Sequence, residues 1–483
     1  MLEYTLIILL GVVYGFIFGL IPIAGATVAL IGIYSFLGYF HHNPYLLVAF
    51  TTAVVVSCSI GDLFASVMMN IPGGGGSAAT MVDGFPMAKK GLAGEALGAA
   101  IFTSTLNGLL WGVAVFFFLP FYGQVVLKFA IPEMLAFIIL AFTCVTFVNS
   151  HYWFRGIVAL ALGIFVGLIG MNPITGAARF TGDWEYIKAG IQIIPIMAGM
   201  MALPELIETY RIKGFESVEV VGNIWKQILK GIKDSITHVT VGLKGGLIGG
   251  FVGLIPGVGG AICDWLAYGV TTASNKNEKI PFGEGNVKGV IGPEGANMAQ
   301  KATAYVPTVL FGIPAAPFEV IVMSLFAIVG LELGTPTLLS DMQFFHTLSY
   351  SYMIALGLTF IISIAFVRYA VLITRIPFKI YFWLLIGLIT WASVQYTGYW
   401  EDYAMLIICT VVGITFKYLK LSRAAFIIGF VLSARFEALL NQYTVLYNPS
   451  DIIHRPISSV LITLAIAAAI YGIFFNKTKI SYV

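Results

Sequence analysis

Apolar residues run along this chain in long unbroken stretches, parted by short polar or glycine-rich gaps. The first half carries such runs near 4–40, 45–71, 95–119, 130–148, 153–171 and 187–207. The second carries them near 236–255, 300–312, 317–333, 347–367, 380–394, 402–416, 424–440 and 457–475. One membrane span needs about 20 apolar residues. The pattern therefore predicts an all-α polytopic membrane protein with about twelve transmembrane helices plus re-entrant or broken segments. The run over 4–40 is nearly twice the length of a span and has Gly19-Leu20-Ile21-Pro22-Ile23-Ala24-Gly25 at its middle. Two readings fit: a loop between two short helices, or one helix broken at membrane depth. Residues 208–235 form the one sizeable polar stretch, in which Trp225, Ile228, Leu229 and Ile232 fall at helical spacing, as in an amphipathic surface helix. The expected division is a first transmembrane repeat over 1–207, a polar cytoplasmic linker over 208–235, and a second repeat with C-terminal helices over 236–483.

Composition narrows the class. Of 483 residues, 59% are hydrophobic and 10% charged, with a mean hydropathy of +0.93, against about 25% charged in soluble domains. A net charge of +3 gives no footing for nucleic acid. Cys58, Cys144, Cys263 and Cys409 lie in apolar runs without metal-like spacing and read as small core residues. Met1-Leu2-Glu3-Tyr4 lacks a positive n-region, so the first run is expected to be a retained span. Lys and Arg in the linker, with Lys477 and Lys479, put both the linker and the C-terminus in the cytoplasm.

Asn70-Ile71-Pro72-Gly73-Gly74-Gly75-Gly76-Ser77 follows a long apolar run and cannot continue its helix. Irregular backbone at that depth is tolerated only where protein buries it or water fills a cavity. In the second half, Gly312-Ile313-Pro314-Ala315-Ala316 echoes it, and Gly253-Leu254-Ile255-Pro256-Gly257 echoes Gly19-Leu20-Ile21-Pro22. Arg179-Phe180-Thr181-Gly182 is answered by Gln395-Tyr396-Thr397-Gly398. Three matches in one order indicate internal duplication, with an inverted arrangement if each half holds an odd number of spans.

No H-E-x-x-H, G-x-S-x-G or Walker lysine is present, so no catalytic residues are assigned. His41 and His42 are expected in a loop. Solute transport is better motivated, because the N-terminus of a half-helix offers free N–H groups and partial positive charge to a carboxylate. Residues after Pro72 and Pro314 are placed for this, with Ser77 and Thr80 adding hydroxyls and Asn70 and Asn297 adding amides. The alternative for the glycines is close helix packing, although Gly73 to Gly76 are denser than a packing seam needs. Ionisable residues in apolar context are functional candidates. Asp62, Asp264, Glu294 and Glu319 are candidates to carry a coupling proton or sodium ion, or to pair with a structural cation such as Lys301. Asp83, beside Gly84, reads as a turn or cap residue.

The run from Asn70 through Asp83-Gly84-Phe85-Pro86-Met87-Ala88-Lys89-Lys90-Gly91 to Gly98 resembles the large membrane subunit of the tripartite tricarboxylate transporters. So do Gly253 to Gly260, Gly289 to Asn297, Arg179-Phe180-Thr181 and Arg455-Pro456-Ile457-Ser458, so the resemblance spans nearly the whole chain. It implies a cytoplasmic-membrane symporter for small organic anions, di- or tricarboxylates, working with a small membrane subunit and an extracytoplasmic solute-binding protein. Its substrate site would be Pro22, Pro72 to Ser77, Pro256, Gly257, Gly259, Gly260 and Asn297. The chain departs from the family pattern at Asp62, Ile23, Met298 and Ala315, and it carries an extra carboxylate at Glu319. Those departures point to a changed substrate or coupling ion. A passive channel and a membrane scaffold are the rival classes.

Overall fold

In hydrocarbon, backbone N–H and C=O groups find no water, so a chain this apolar satisfies them within helices. The computed structural model describes all residues except 1, 127–128, 149–151, 173–174, 189, 212–217, 219–220, 371, 373–377, 396–397 and 475–483. Lys477, Lys479, and part of the second Thr-Gly match therefore lie outside the described residues, as do Lys213, Glu216 and Glu219 of the polar stretch. Among the described residues, eight helices are long and apolar enough to cross a membrane, and four shorter apolar helices accompany them. The strands there are a two-residue antiparallel pair, Gly170–Met171 with Ala178–Arg179. The chain is an all-α polytopic membrane protein.

The first half comprises α1 (Leu2–Leu20), α2 (Gly25–Ile33), α3 (Pro44–Met69), α4 (Thr80–Lys89), α5 (Ala93–Val126), α6 (Ile131–Thr143), α7 (Trp153–Gly167), α8 (Ile193–Met197) and α9 (Leu203–Arg211). It is followed by α10 (Ile224–Thr237), α11 (Val239–Gly253), α12 (Gly259–Ser274), α13 (Val287–Tyr305), α14 (Pro317–Ile328), α15 (Pro336–Leu339) and α16 (Met342–Phe366). Four more apolar helices close the chain, at Phe378–Gln395, Glu401–Tyr418, Arg423–Leu446 and Pro456–Phe474.

The run over 4–40 is a broken segment: α1 ends at Leu20 and α2 restarts at Gly25, with Ile23 at φ 70°. Left-handed backbone on a β-branched residue is strained. This is the place where the resemblance leads one to expect glycine. His41 and His42, expected in a loop, instead close a 3-10 turn over Tyr34–His42, because Asn43 caps α3 immediately afterwards through its contact with Tyr45 N–H.

Two helices form the centre. Every residue of α3 from Leu46 to Met69 is buried, and α13 is buried from Gly289 to Tyr305 except at Lys301. Small residues let a partner helix approach each one closely. Gly11, Gly15 and Gly19 of α1 lie against the backbone of Phe50, Val54 and Cys58 in α3. Gly245, Gly249 and Gly253 of α11 lie against Gly292, Ala296 and Gln300 in α13. The second set of glycines repeats the first at one constant offset, and the contacted backbone positions repeat at a constant offset of their own. Cross-packing follows the same scheme, since α5 lies on α13 and α16 lies on α3.

The amphipathic reading of the polar stretch fits α10, with a correction to its setting. Ile228, Gly231 and Ser235 are buried against α5, so the helix is clamped to the bundle on one side. Trp225 and Leu229 stay exposed on the other. Among the described residues, π turns interrupt the helices at Cys144–Val148, Ala198–Ala202 and Val306–Leu310. Arg179 holds Glu437 through two hydrogen bonds of 2.6 and 3.0 Å, tying the strand pair to Arg423–Leu446.

Candidate functional site

The first break begins where Asn70 turns into left-handed backbone at φ 55° and ends α3. Pro72 then lacks a donor to continue it. Asn70 is itself exposed, so its part in the break is to stop the helix. Ser77 is buried, and its hydroxyl sits 2.8 Å from that of Ser66 and within reach of Gly74 N–H at 3.5 Å. A short turn over Gly75–Ser77 leads into α4.

The glycines here are fixed by close approach. A side chain on Gly73 or Gly74 would collide with Asp62, and one on Gly76 would sit 2.5 Å from Asn297 Oδ1. The density of the run thus reflects two neighbours: Asp62 in α3 and Asn297 in α13. From the second half, Gly260 faces Gly76 and Gln300 Oε1 closely enough that a side chain there would just touch both. The first break therefore meets the α11–α12 break and the middle of α13.

Two carboxylates from the second half close on α4. Asp264 Oδ2 accepts the Ala79 N–H at 2.5 Å, and Thr80 Oγ1 donates to Glu294 Oε1 at 2.5 Å. Asn297 Nδ2 donates to the other Glu294 oxygen at 3.2 Å. All four of these side chains are buried. Among the described residues, Asp264 Oδ1 and Gln300 Oε1 are buried without a hydrogen-bond partner. Of the remaining proline-rich positions, Pro256 is buried, Gly257 faces Val145 and Ala141 of the α6 segment, and Gly259 opens onto free space.

The second break repeats the first with one exchange. Thr308 Oγ1 donates to Glu319 Oε2 at 2.7 Å, while Ala315 and Ala316 N–H reach the same oxygen at 2.6 and 3.1 Å. The register that lays Ile313-Pro314 on Ile71-Pro72 also lays Thr308 on Ser66 and Glu319 on Ser77. A carboxylate fills the place that a hydroxyl takes in the first half. Pro314 is buried in this second cluster rather than beside Gly76. Lys301 does not pair with Glu294; its ammonium lies 4.3 Å from the Phe318 ring centroid, a cation–π contact. Among the described residues, no group of three His, Cys, Asp or Glu side chains is arranged to hold a metal ion.

Asp83 is corrected from a turn residue to a buried anchor inside α4. Its Oδ1 accepts N–H bonds from Gly283, Gly285 and Asn286 at 2.8–2.9 Å, and Tyr268 donates to Oδ2 at 2.9 Å. Gly84 misled the sequence reading: its small size serves the contact with Val67 and no turn is made there. In the same loop, Lys288 donates to Glu278 at 2.6 Å, and this bond holds the Glu278 carboxyl below the ordinary glutamate value. A lowered folded value makes the contribution complete above the unfolded value of about 4.3 and loses it as pH falls through the folded value. Glu278→Gln should therefore lower stability by less than about 1 kcal/mol at pH 7, with the difference shrinking once pH falls below the ordinary glutamate value and vanishing below the lowered folded one. Melting curves of both proteins across that range would reveal it, and a gap that widens in acid would refute it.

Sequence reasoning missed Ser66, Thr308, Gln300 and Tyr268. The first two could have been found by carrying the Ile-Pro register through every hydroxyl, since they occupy equivalent positions. No sequence signal marks Gln300 or Tyr268.

Broken helices meeting inside an apolar helical bundle define a polytopic membrane protein with irregular backbone at its centre. Residues 5–428 match the tripartite tricarboxylate transporter TctA family, and the chain belongs to that family. It is 24% identical over 468 residues to an uncharacterised 52.8 kDa protein in the TAR-I ttuC' 3' region of Agrobacterium vitis, covering 96% of this chain and 92% of the relative. A second Agrobacterium vitis protein, uncharacterised and from the TAR-II ttuC' 3' region, is 26% identical over 225 residues, 47% of this chain and 90% of its own length. No solved structure matches the chain. Family membership makes this a tricarboxylate transporter component, and its apolar helices make it multi-pass.

Proposed function

We propose that the chain is the solute-carrying subunit of an ion-coupled secondary transporter that imports small organic anions across the cytoplasmic membrane. The observation that carries this is the pair of helix breaks at equivalent places in the two halves, each closed by a hydroxyl contact to a buried residue, Ser77 in the first and Glu319 in the second. Two repeats, 1–207 and 236–483 about the linker 208–235, would each supply one break. Cargo would sit where Gly73–Thr80, Gly259–Gly260 and Asn297 converge, with sodium or a proton coupled through Asp62, Asp264, Glu294 or Glu319. A small membrane subunit and an extracytoplasmic binding protein are the expected partners, with the C-terminus in the cytoplasm.

Reconstituted protein should accumulate a labelled organic acid against its gradient, and accumulation should collapse with a sodium or proton ionophore. Ser77→Ala with Asn297→Ala should cut the initial rate at least about tenfold while the protein still melts cooperatively, because each removes a buried polar group worth about 1 kcal/mol or more. Rapid equilibration that stops at equal concentrations would mark a passive pore instead. Unchanged uptake by the double variant would move the site elsewhere.

A further inference from the structure

The N-terminus of a half-helix attracts carboxylates because its first N–H groups lack partners and carry about half a positive charge. Of the half-helices that restart after the breaks, at α2, α4, α12 and α14, the starts of α4 and α14 are already occupied. Asp264, reaching across from α12, takes the Ala79 N–H at the start of α4. Glu319, within α14, takes the Ala315 and Ala316 N–H groups at the start of that helix. The equivalent of Glu319 in the first half is Ser77, a neutral residue making the same backward contact through a hydroxyl. The first half, which keeps the neutral serine, borrows its carboxylate from the second half.

A second observation concerns what remains unmet. Among the described residues, Asp264 Oδ1 and Gln300 Oε1 are buried acceptors with no donor. Gln300 Oε1 borders the gap between Gly76 and Gly260, and Asp264 lies one helical turn beyond Gly260 on the same helix. The unfilled need at this place is for hydrogen-bond donors. The charge balance points the same way. Asp62, Asp264, Glu294 and Glu319 line the two breaks, against Lys301, which rests on Phe318, and Arg435, which lies against Gly312 and donates to the Gly334 carbonyl.

We propose that Asp264 and Glu319 stand in for carboxylates of the cargo, so that this chain takes a hydroxy- or amino-monocarboxylate in preference to a di- or tricarboxylate. The hydroxyl or ammonium of such a solute supplies the donors that Asp264 and Gln300 lack. A second or third carboxylate would find the very N–H groups that would otherwise hold it already taken, and polar groups left unpaired at a closed site are strongly selective. This assignment rests on the transport reading above.

The test uses the full-length purified chain with glycerate, serine, propionate, succinate and citrate. Glycerate or serine should raise the melting temperature by several degrees at millimolar concentration, with propionate, succinate and citrate giving no shift. Asp264→Ser with Glu319→Ser, which gives both ends the neutral chemistry of Ser77, should improve succinate or citrate affinity at least about tenfold. If that variant fails to fold, Asp264→Asn keeps an acceptor for Ala79 while removing the charge, and should weaken serine relative to succinate. Citrate or succinate stabilising the unmodified chain as well as glycerate does would overturn the proposal, and so would silence toward all five compounds. Uptake separates the two readings: citrate accumulation by the unmodified chain leaves transport standing and removes this assignment alone.

Discussion

Asp83→Ala should cost about 3 kcal/mol or more of stability and loosen the segment between α12 and α13. The carboxylate is fully buried and collects three backbone N–H bonds and a tyrosine hydroxyl. Removing it leaves the Gly285 and Asn286 donors buried with nothing to accept them, and each such group costs about 1–3 kcal/mol. Gly289 packs directly on the same carboxylate, so the start of α13 is located by it as well. Asp83→Asn keeps an acceptor of the same shape and should lose roughly half as much, since charged acceptors bind about twice as strongly as neutral ones. Thermal melting measures the cost, and limited proteolysis at Lys276 and Lys279 reads the loosening. A melting temperature unmoved by Asp83→Ala would mean the loop is held by other contacts.

Gly249→Leu should be the more severe change, abolishing a folded, monodisperse protein. A side chain there would strike the Ala296 carbonyl and backbone, which cannot rotate aside as a flexible side chain can. Overpacking typically costs about 1–3 kcal/mol, and more when backbone must shift. Gly15→Leu should behave alike, because it presses Val54 in the corresponding seam. Gly269→Leu and Gly357→Leu are the controls: a side chain at either meets nothing within 4 Å, and replacing a helical glycine there even removes a propensity cost of about 0.5–1 kcal/mol. Size-exclusion profiles in detergent compare the four. Equal yields would show that the seams tolerate separation.

Helix class and the positions of the breaks were legible because both depend on local rules. An apolar run of span length must be helical in a bilayer, and Ile-Pro followed by glycines must end a helix. The recurrence of Ile71-Pro72 at Ile313-Pro314 was visible for the same reason. The partners of the site were not. Asp264 and Glu294 look alike in the sequence as acids in apolar runs, yet one meets a backbone N–H and the other a threonine hydroxyl. That difference arises from how α12 and α13 pack on α4, over separations of 185 and 214 residues. Asp83 went astray because its neighbour Gly84 mimics a turn; the three N–H groups that define its role come from the loop ahead of α13, in the other half of the chain. Glu319 was visible as an anomaly, but its helix-capping role needed the contacts to the Ala315 and Ala316 N–H groups, which only the folded break brings within reach.

The π turn at Val306–Leu310 directly precedes the second break, whereas the equivalent stretch of α3 is regular α-helix. A π turn closes i→i+5 bonds, wider than those of the α-helix. Ile313-Pro314 keeps the same offset from Ile71-Pro72 that Gly292 and Ala296 keep from Phe50 and Val54, so the turn adds no residue and differs from α3 only in its bonding. The chain thus reaches Glu319 through widened helix bonding and Ser77 through regular α-helix, so the two breaks hang on supports of unequal stiffness.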